Sequence, residues 1–193
     1  MASTRRQLLA GLALLAGAGA APGLLWPALA GAAALPVPPS ARRLTTARPE
    51  LGGTVTRIVV VKKVRQLRLM DGTRILKEYR VALGRNPVGH KLRQGDRRTP
   101  EGHYHIAYRK PDSAFHLSLA ISYPSVADVA AAQARGDDPG GLIMIHGQPN
   151  PEPGRPFPRR FGDWTDGCIA VQNHEMEEIW ALVPDFTPVE IRA

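Results

Sequence analysis

Three consecutive runs of residues have patterns that are typical of β-strands: the first is rich in β-branched residues, and the other two alternate apolar and polar side chains. The runs are 55–61, 64–70 and 75–83, and Asp71-Gly72 between the last two is a hairpin turn signal. Because side chains of an extended chain alternate between two faces, each run can bury one face only. The pattern predicts an antiparallel meander.

The rest of the chain adds strands more often than helices. Further strands are predicted at 102–108, 115–122, 142–146, 168–171 and 188–191. Two short helices are expected at 126–135 and 174–183, the second with Asn173 as N-cap. The second helix spaces Met176, Ile179, Trp180 and Val183 three and four residues apart, so this face packs in the core. The fold class is therefore mainly β with two short helices.

The N-terminus has the pattern of an export signal. Arg5-Arg6 precede a run of Leu, Ala and Gly, and no acidic residue occurs before Glu50. Residues 1–30 are interpreted as a twin-arginine-type signal peptide with a small-residue cleavage site at Ala28-Leu29-Ala30. Prolines 22 and 27 interrupt the apolar run, so no permanent membrane span is expected, although a retained anchor is the alternative. The mature protein is expected in the periplasm or extracytoplasmic cell envelope.

Residues 31–53 are read as a Pro-rich linker, and 54–193 as one domain, because about 140 residues suffice for a single core. Without residues 1–30 the formal charge falls from +8 to +6, since two arginines and no acids are removed. Basic residues concentrate in 53–110, where 15 Lys and Arg face 4 Asp and Glu. This polarity suits an anionic envelope polymer better than nucleic acid. Lys62, Lys63 and Arg65 are individually expected on a solvated face.

Cys168 is the only cysteine in the chain, so it forms no internal disulfide. It follows Thr165 and Gly167 in a turn-prone stretch, downstream of His146-Gly147 at the end of an apolar run. A thiol and a histidine brought together by folding make a nucleophile and its base, whereas an inert buried thiol is the alternative. Two long loops, 85–101 and 148–164, are expected to be functional, and the second carries five prolines beside this pair.

The spacing of His146-Gly147 and Thr165-x-Gly167-Cys168-Ile169 resembles the YkuD-type L,D-transpeptidase catalytic domain. Three further segments occur in that family's order: Val81-Ala82-Leu83-Gly84, Gly95-Asp96 with Thr99-Pro100-Glu101-Gly102, and Ser122-Tyr123-Pro124. The resemblance covers about residues 54–192. It implies an L,D-transpeptidase-like β-sandwich or barrel.

Two positions depart from the usual family motif. Asp166 stands where the motif has histidine, and Ala170 where it has arginine. The run from Asp163 to Ala170 is similar to the YafK-like branch, which includes proteins that hydrolyse a peptidoglycan amide. Transfer and hydrolysis therefore both remain open.

The resemblance implies that Cys168 attacks a peptide carbonyl after His146 takes its proton. A backbone carbonyl close to the histidine, here that of Gly147, would orient the ring. The N–H groups of Gly167 and Cys168 are the candidate oxyanion hole, and Thr165 is expected to bond across the turn. No cofactor is expected. His103 and His105 share a strand face, opposite the core-like face of Tyr104, Ile106 and Tyr108. No third ligand is evident, so no metal site is assigned.

The sequence thus predicts an exported cysteine acyl transferase acting on peptidoglycan stem peptides, with a wall-attached protein or a D-amino acid as possible acceptor. An L,D-carboxypeptidase or amidase that hydrolyses a diaminopimelate linkage is the main alternative. A non-catalytic wall-binding module is the third hypothesis.

Overall fold

The computed structural model describes residues 52–151 and 162–193. The strands are β1 (Arg57–Val61), β2 (Gln66–Asp71), β3 (Arg74–Arg80), β4 (Gly102–Ser113), β5 (His116–Ile121), β6 (Met144–His146), β7 (Ile169–Ala170) and β8 (Pro188–Arg192). The helices are α1 (Val126–Gln133), α2 (Asn173–Leu182) and a 3-10 turn at Lys62–Val64. The predicted signal peptide, nearly all of the linker and most of the 148–164 loop lie outside the described residues.

All eight strands belong to one sheet in the order β3-β2-β1-β8-β4-β5-β6-β7. Strand β4 is long enough to serve both halves, since its start pairs with β8 and its continuation pairs with β5. The chain after β3 then returns to the far edge, where Ala82 bridges Ala170 of β7 and Gly84 bridges Thr165. The segment that follows the first strand of the sheet therefore reaches the last strand. The predicted mainly β fold with two short helices is confirmed.

The core follows from the predicted alternation. Leu67 and Leu69 of β2 are fully buried, while Gln66 and Arg68 on the other face are partly exposed. Removing such a leucine side chain from water contributes roughly 1.5–3 kcal/mol. The hairpin from β2 to β3 also forms where Asp71-Gly72 predicted it, with Gly72 at a φ of +56°.

Helix α2 packs on this core through the expected face. Met176 and Ile179 are fully buried, and Trp180 lies partly buried beneath the guanidinium of Arg109, 4.8 Å from the ring centre. The predicted N-cap was wrong by one residue, because Gln172 occupies that position. Asn173 is the first helical residue, and its Oδ1 accepts the Gln148 N–H at 2.7 Å instead of capping the helix.

One predicted core residue on β4 faces outward. Tyr104 and Ile106 are buried as expected, but 47 % of Tyr108 is exposed. A register shift between Ile106 and Tyr108 explains the difference, because the extra residue of a β-bulge reverses which face the following side chains occupy. His103 and His105 are exposed. In the described ranges there is no group of three potential metal-ligating residues and no helix long and apolar enough to span a membrane.

Two of the three cations expected on a solvated face have specific partners in the structure, and one of them is buried. Lys62 is buried, and its Nζ donates to the carbonyls of Gly89 and Thr99 and to Glu101 Oε1 at 2.6, 2.9 and 2.8 Å. Arg65 donates through Nε and Nη2 to Asp163 Oδ2. The sequence-based expectation for these residues was wrong because buried carbonyls and carboxylates compensate their charge. Lys63 is exposed.

Candidate active site

Two short parallel strands place the candidate base and nucleophile on one face of the sheet. Strands β6 and β7 pair Ile145 with Ile169 and His146 with Ala170. Extending this register by one residue sets Cys168 beside Met144. Because alternate residues of a strand share a face, Cys168 and His146 lie on the same face, two residues apart along the strands.

His146 is almost fully buried, with 3 % of its surface exposed. Its Nδ1 lies 2.7 Å from the carbonyl oxygen of Gly147. Since a carbonyl can only accept, Nδ1 carries the hydrogen, and Nε2 of the neutral ring is the basic nitrogen. The rings of Phe115 and Trp164 lie 4.6 and 5.7 Å from the imidazole centre and fix its plane. The Gly147 carbonyl thus occupies the place predicted for the orienting group.

Cys168 is half-buried. Its thiol donates to the carbonyl oxygen of Leu142 at 3.5 Å. Leu142 lies just ahead of β6 and has a φ of +55°. The resting thiol is therefore paired with the backbone at the start of the strand that ends in His146. To react through this histidine, the thiol has to exchange the Leu142 oxygen for Nε2.

The electrostatics of the pair favour uncharged forms of both residues. Burial lowers the pKa of His146 below its ordinary range, and the Gly147 hydrogen bond opposes this only in part. Burial raises the pKa of the Cys168 thiol and the Asp166 carboxylate adds to the increase, whereas a hydrogen bond with the Met144 backbone and the charge of Lys91 act in the opposite direction. A neutral thiol next to a neutral imidazole suits proton transfer during attack better than a standing ion pair.

The turn before Cys168 is closed by the side chain of Thr165. Its Oγ1 accepts the Gly167 N–H at 3.1 Å and donates to the Cys168 carbonyl at 2.8 Å. This is the bond across the turn that the sequence predicted for Thr165. The hydroxyl fixes the backbone on both sides of the nucleophile, so the position of the thiol depends on it.

Gly167 is required by conformation and by space. Its φ is +134°, and a methyl carbon built there would lie 2.7 Å from the carbonyl oxygen of Arg98. Its N–H is donated to Thr165 in this resting structure, so the predicted role in the oxyanion hole would require this bond to be exchanged. Among the described residues the Cys168 N–H has no such acceptor, which leaves it as the available donor.

Gly147 is equally confined. A methyl carbon at this position would lie 2.6 Å from Asn173 Oδ1 and 3.0 Å from His116 Cβ. The residue must stay small for its carbonyl to reach His146 Nδ1.

The sequence missed Phe115 and Leu142 as parts of this site. Phe115 was assigned only as the beginning of a strand, and Leu142 contributes a carbonyl that every residue type has. The aromatic contact could be guessed only once the pairing of β5 with β6 is known, which sets Ser118 opposite His146. Trp164, at the end of the 148–164 loop, contacts both the ring of Phe115 and the imidazole of His146.

A family model, the YkuD L,D-transpeptidase catalytic domain, matches residues 56–191. The chain belongs to this family of domains, whose enzymes act on peptidoglycan. Within it, the chain is 29 % identical over 143 residues to YafK of Escherichia coli strain K12, covering 70 % of this chain and 50 % of YafK. The similarity supports the YafK-like branch that the motif indicated.

Solved structures agree with this placement. The helical cell shape determining protein Pgp2 from Campylobacter jejuni superposes with a TM-score of 0.54 and 25 % identity, over 74 % of this chain and 52 % of Pgp2. A point mutant of Pgp2 gives a TM-score of 0.55 and 27 % identity, over 72 % of this chain and 47 % of that one. The chain spans about half the length of the curated relatives it matches.

Proposed function

We propose that this protein is an exported, cysteine-dependent acyl transferase that acts on peptidoglycan stem peptides, with Cys168 as nucleophile and His146 as base. The observation that supports this most is the placement of the sole thiol and an oriented imidazole on one face of β6 and β7, with the basic Nε2 not used by the Gly147 contact. A purely wall-binding module would need neither group. The likeness to Pgp2 adds a role in cell shape to the proposal.

The first half-reaction follows from these groups. Nε2 of His146 takes the thiol proton while Sγ of Cys168 bonds to the diaminopimelate carbonyl that precedes the terminal D-amino acid. The Cys168 N–H donates to the resulting oxyanion, a contact worth about 3 kcal/mol in comparable sites. When the carbonyl reforms, the C–N bond breaks and the imidazolium returns its proton to the leaving amine, which leaves a thioester on Cys168.

The second half-reaction regenerates the thiol. An amine, from a D-amino acid or a wall-attached protein, attacks the thioester, and its proton passes through His146 to the departing sulfur. The product is a new amide on the diaminopimelate carbonyl.

Hydrolysis is the second candidate, and Ala170 favours it. In this position, opposite His146, the side chain is a methyl group that offers an incoming acceptor no polar contact. A transferase must hold an amine at the thioester and exclude water, whereas a hydrolase only has to admit water. The similarity to YafK is compatible with either outcome.

The nucleophile is tested with Cys168→Ser. We expect the variant to lose thiol-specific labelling and all turnover of muropeptides, while its urea unfolding midpoint stays near that of the parent. Turnover that persists in Cys168→Ser would remove the proposed mechanism.

Transfer and hydrolysis are separated by the products formed with excess D-amino acid. A transferase incorporates the added D-amino acid into tetrapeptide muropeptides, as read by mass spectrometry. Exclusive release of tripeptides, or of a peptide linked to the diaminopimelate amine, would replace transfer by the carboxypeptidase or amidase reaction.

A further inference from the structure

A cavity of about 790 Å³ adjoins the candidate active site and carries an excess of positive charge. It borders the site on the side of the base, because two of its lining residues contact or pair with His146: Ala170 is its strand partner, and the Trp164 ring packs against the imidazole. Three cations line it, namely Lys63, Arg65 and Arg80. We call this space the Arg80 cavity.

Two of these cations are uncommitted. Arg65 is neutralised by Asp163, and Glu175, the other acid of the lining, accepts the Gln172 N–H at 2.8 Å. Within residues 52–151 and 162–193, the side chains of Lys63 and Arg80 have neither an ion pair nor a hydrogen bond. Both are exposed, so a ligand can reach them.

The strand topology directs Arg80 toward the catalytic face. Arg80 ends β3 and precedes Ala82 by two residues, so the two side chains share a face of the extended chain. Ala82 and Ala170 exchange backbone hydrogen bonds of 2.8 Å in both directions. Ala82, Ala170 and His146 thus form one row across three neighbouring segments of the sheet. Arg80 lies two residues from this row on the same face, on the side opposite Cys168.

We infer that the Arg80 cavity is a carboxylate-binding subsite, in which the Arg80 guanidinium is the main contact and Lys63 adds positive charge. The substrate class rests on the proposed function. A stem tetrapeptide offers two carboxylates close to the scissile bond, one on the terminal D-amino acid and one on the diaminopimelate side chain. A guanidinium binds either carboxylate in a two-pronged arrangement, and the peptide then extends from Arg80 across the row in the direction of Cys168.

The test measures binding apart from chemistry. Cys168→Ser protein is titrated calorimetrically with a stem tetrapeptide, alone and combined with Arg80→Gln or Lys63→Gln. Arg80→Gln should weaken binding about tenfold and Lys63→Gln about threefold, as expected for loss of a partly exposed charged contact. Lys110→Gln, which removes a half-exposed charge beside Asp112 and outside the cavity, is the control and should leave the affinity unchanged.

Two modified peptides identify the carboxylate. One peptide is amidated at the terminal residue and the other at the diaminopimelate side chain. The peptide that lacks the bound carboxylate should bind Cys168→Ser weakly. Its affinity should equal that of the intact peptide for the protein that combines Cys168→Ser with Arg80→Gln. Equal affinity of Arg80→Gln and Lys110→Gln for the intact peptide would overturn the subsite. Kinetics of the protein that retains Cys168 keep the two proposals distinct. If the peptide binds in an Arg80-dependent way but is not turned over, the subsite stands and only the acyl transfer chemistry is contradicted.

Discussion

The end of β6, which carries His146, and the turn at 165–168, which carries Cys168, reach the same face of the sheet by different means. His146 lies in a ladder between β5 and β7, is almost fully buried and is packed by two aromatic rings. Cys168 is half-buried and follows a turn whose geometry depends on one hydroxyl and one glycine. The base is therefore positioned by the sheet as a whole, and the thiol by local backbone conformation.

This difference separates the chemical roles from the structural ones. Substitution of His146 should alter proton transfer, because it removes the imidazole. The Gly147 carbonyl that orients the ring belongs to the backbone and stays in place. Changes in the turn should displace the thiol without altering the base. Variants of the two regions therefore give different signatures. Variants at the end of β6 should act mainly on proton transfer, and variants in the turn at 165–168 should change both the unfolding free energy and the reactivity of the thiol.

The largest effect is expected from His146→Ala. Removing a general base lowers kcat/KM about 10²- to 10⁴-fold, and alkylation of Cys168 by iodoacetamide should slow at neutral pH with its pH profile moved upward. His174→Ala, at an exposed histidine of α2, serves as control. An unchanged alkylation profile in His146→Ala would separate the two residues functionally.

Gly167→Ala tests the turn. The left-handed φ and the 2.7 Å approach to the Arg98 carbonyl should cost roughly 1–3 kcal/mol of unfolding free energy. A displaced thiol should lower kcat/KM about 10²-fold. Gly141→Ala is the matched control, since Gly141 has no heavy atom within 4 Å of the added methyl and no left-handed φ. Parent-like values for Gly167→Ala in both urea unfolding and kinetics would show that the turn tolerates a side chain.

Thr165→Val should act in the same direction but less strongly. The valine keeps the shape of threonine and removes the acceptor of the Gly167 N–H, which costs about 1–3 kcal/mol for a buried group left without a partner. We expect roughly tenfold lower kcat/KM. Thr165→Ser retains the hydroxyl and should recover most of the loss, so equal defects in Val and Ser would assign the effect to packing instead.

The smallest effect concerns pH and the burial of His146. Its pKa is lowered in the folded protein, so between that value and its unfolded value near 6.5 the unfolded chain binds a proton that the folded one does not. Stability should therefore fall as the pH drops below 6.5. The difference in unfolding free energy between the parent and His146→Gln, measured by urea denaturation from pH 8 to 5, should change in this interval. A constant difference would mean that His146 does not titrate differently in the two states.

The strands of the sheet that positions His146 were predicted from the sequence better than the contacts of the Cys168 thiol. The β-branched residues of 55–61 and the alternation in 64–83 predicted the first three strands, and the helix spacing predicted the core face of α2. The bulge that exposes Tyr108 and the burial of Lys62 were not predictable, since both depend on partners far along the chain. The contact between the Cys168 thiol and the Leu142 carbonyl likewise depends on tertiary geometry, whereas the bonds that Thr165 makes across the turn are local and were expected from the sequence.

The nucleophilic role of Cys168 is tested most directly by trapping the acyl-enzyme. The protein is mixed with a stem tetrapeptide and quenched in acid within the first turnovers, and its intact mass and peptide map are measured. We expect a mass increase equal to the tripeptide acyl group, located on Cys168, and no such increase in Cys168→Ser. Substrate turnover with Cys168 unmodified at every quench time, together with full activity of Cys168→Ser, would contradict the account.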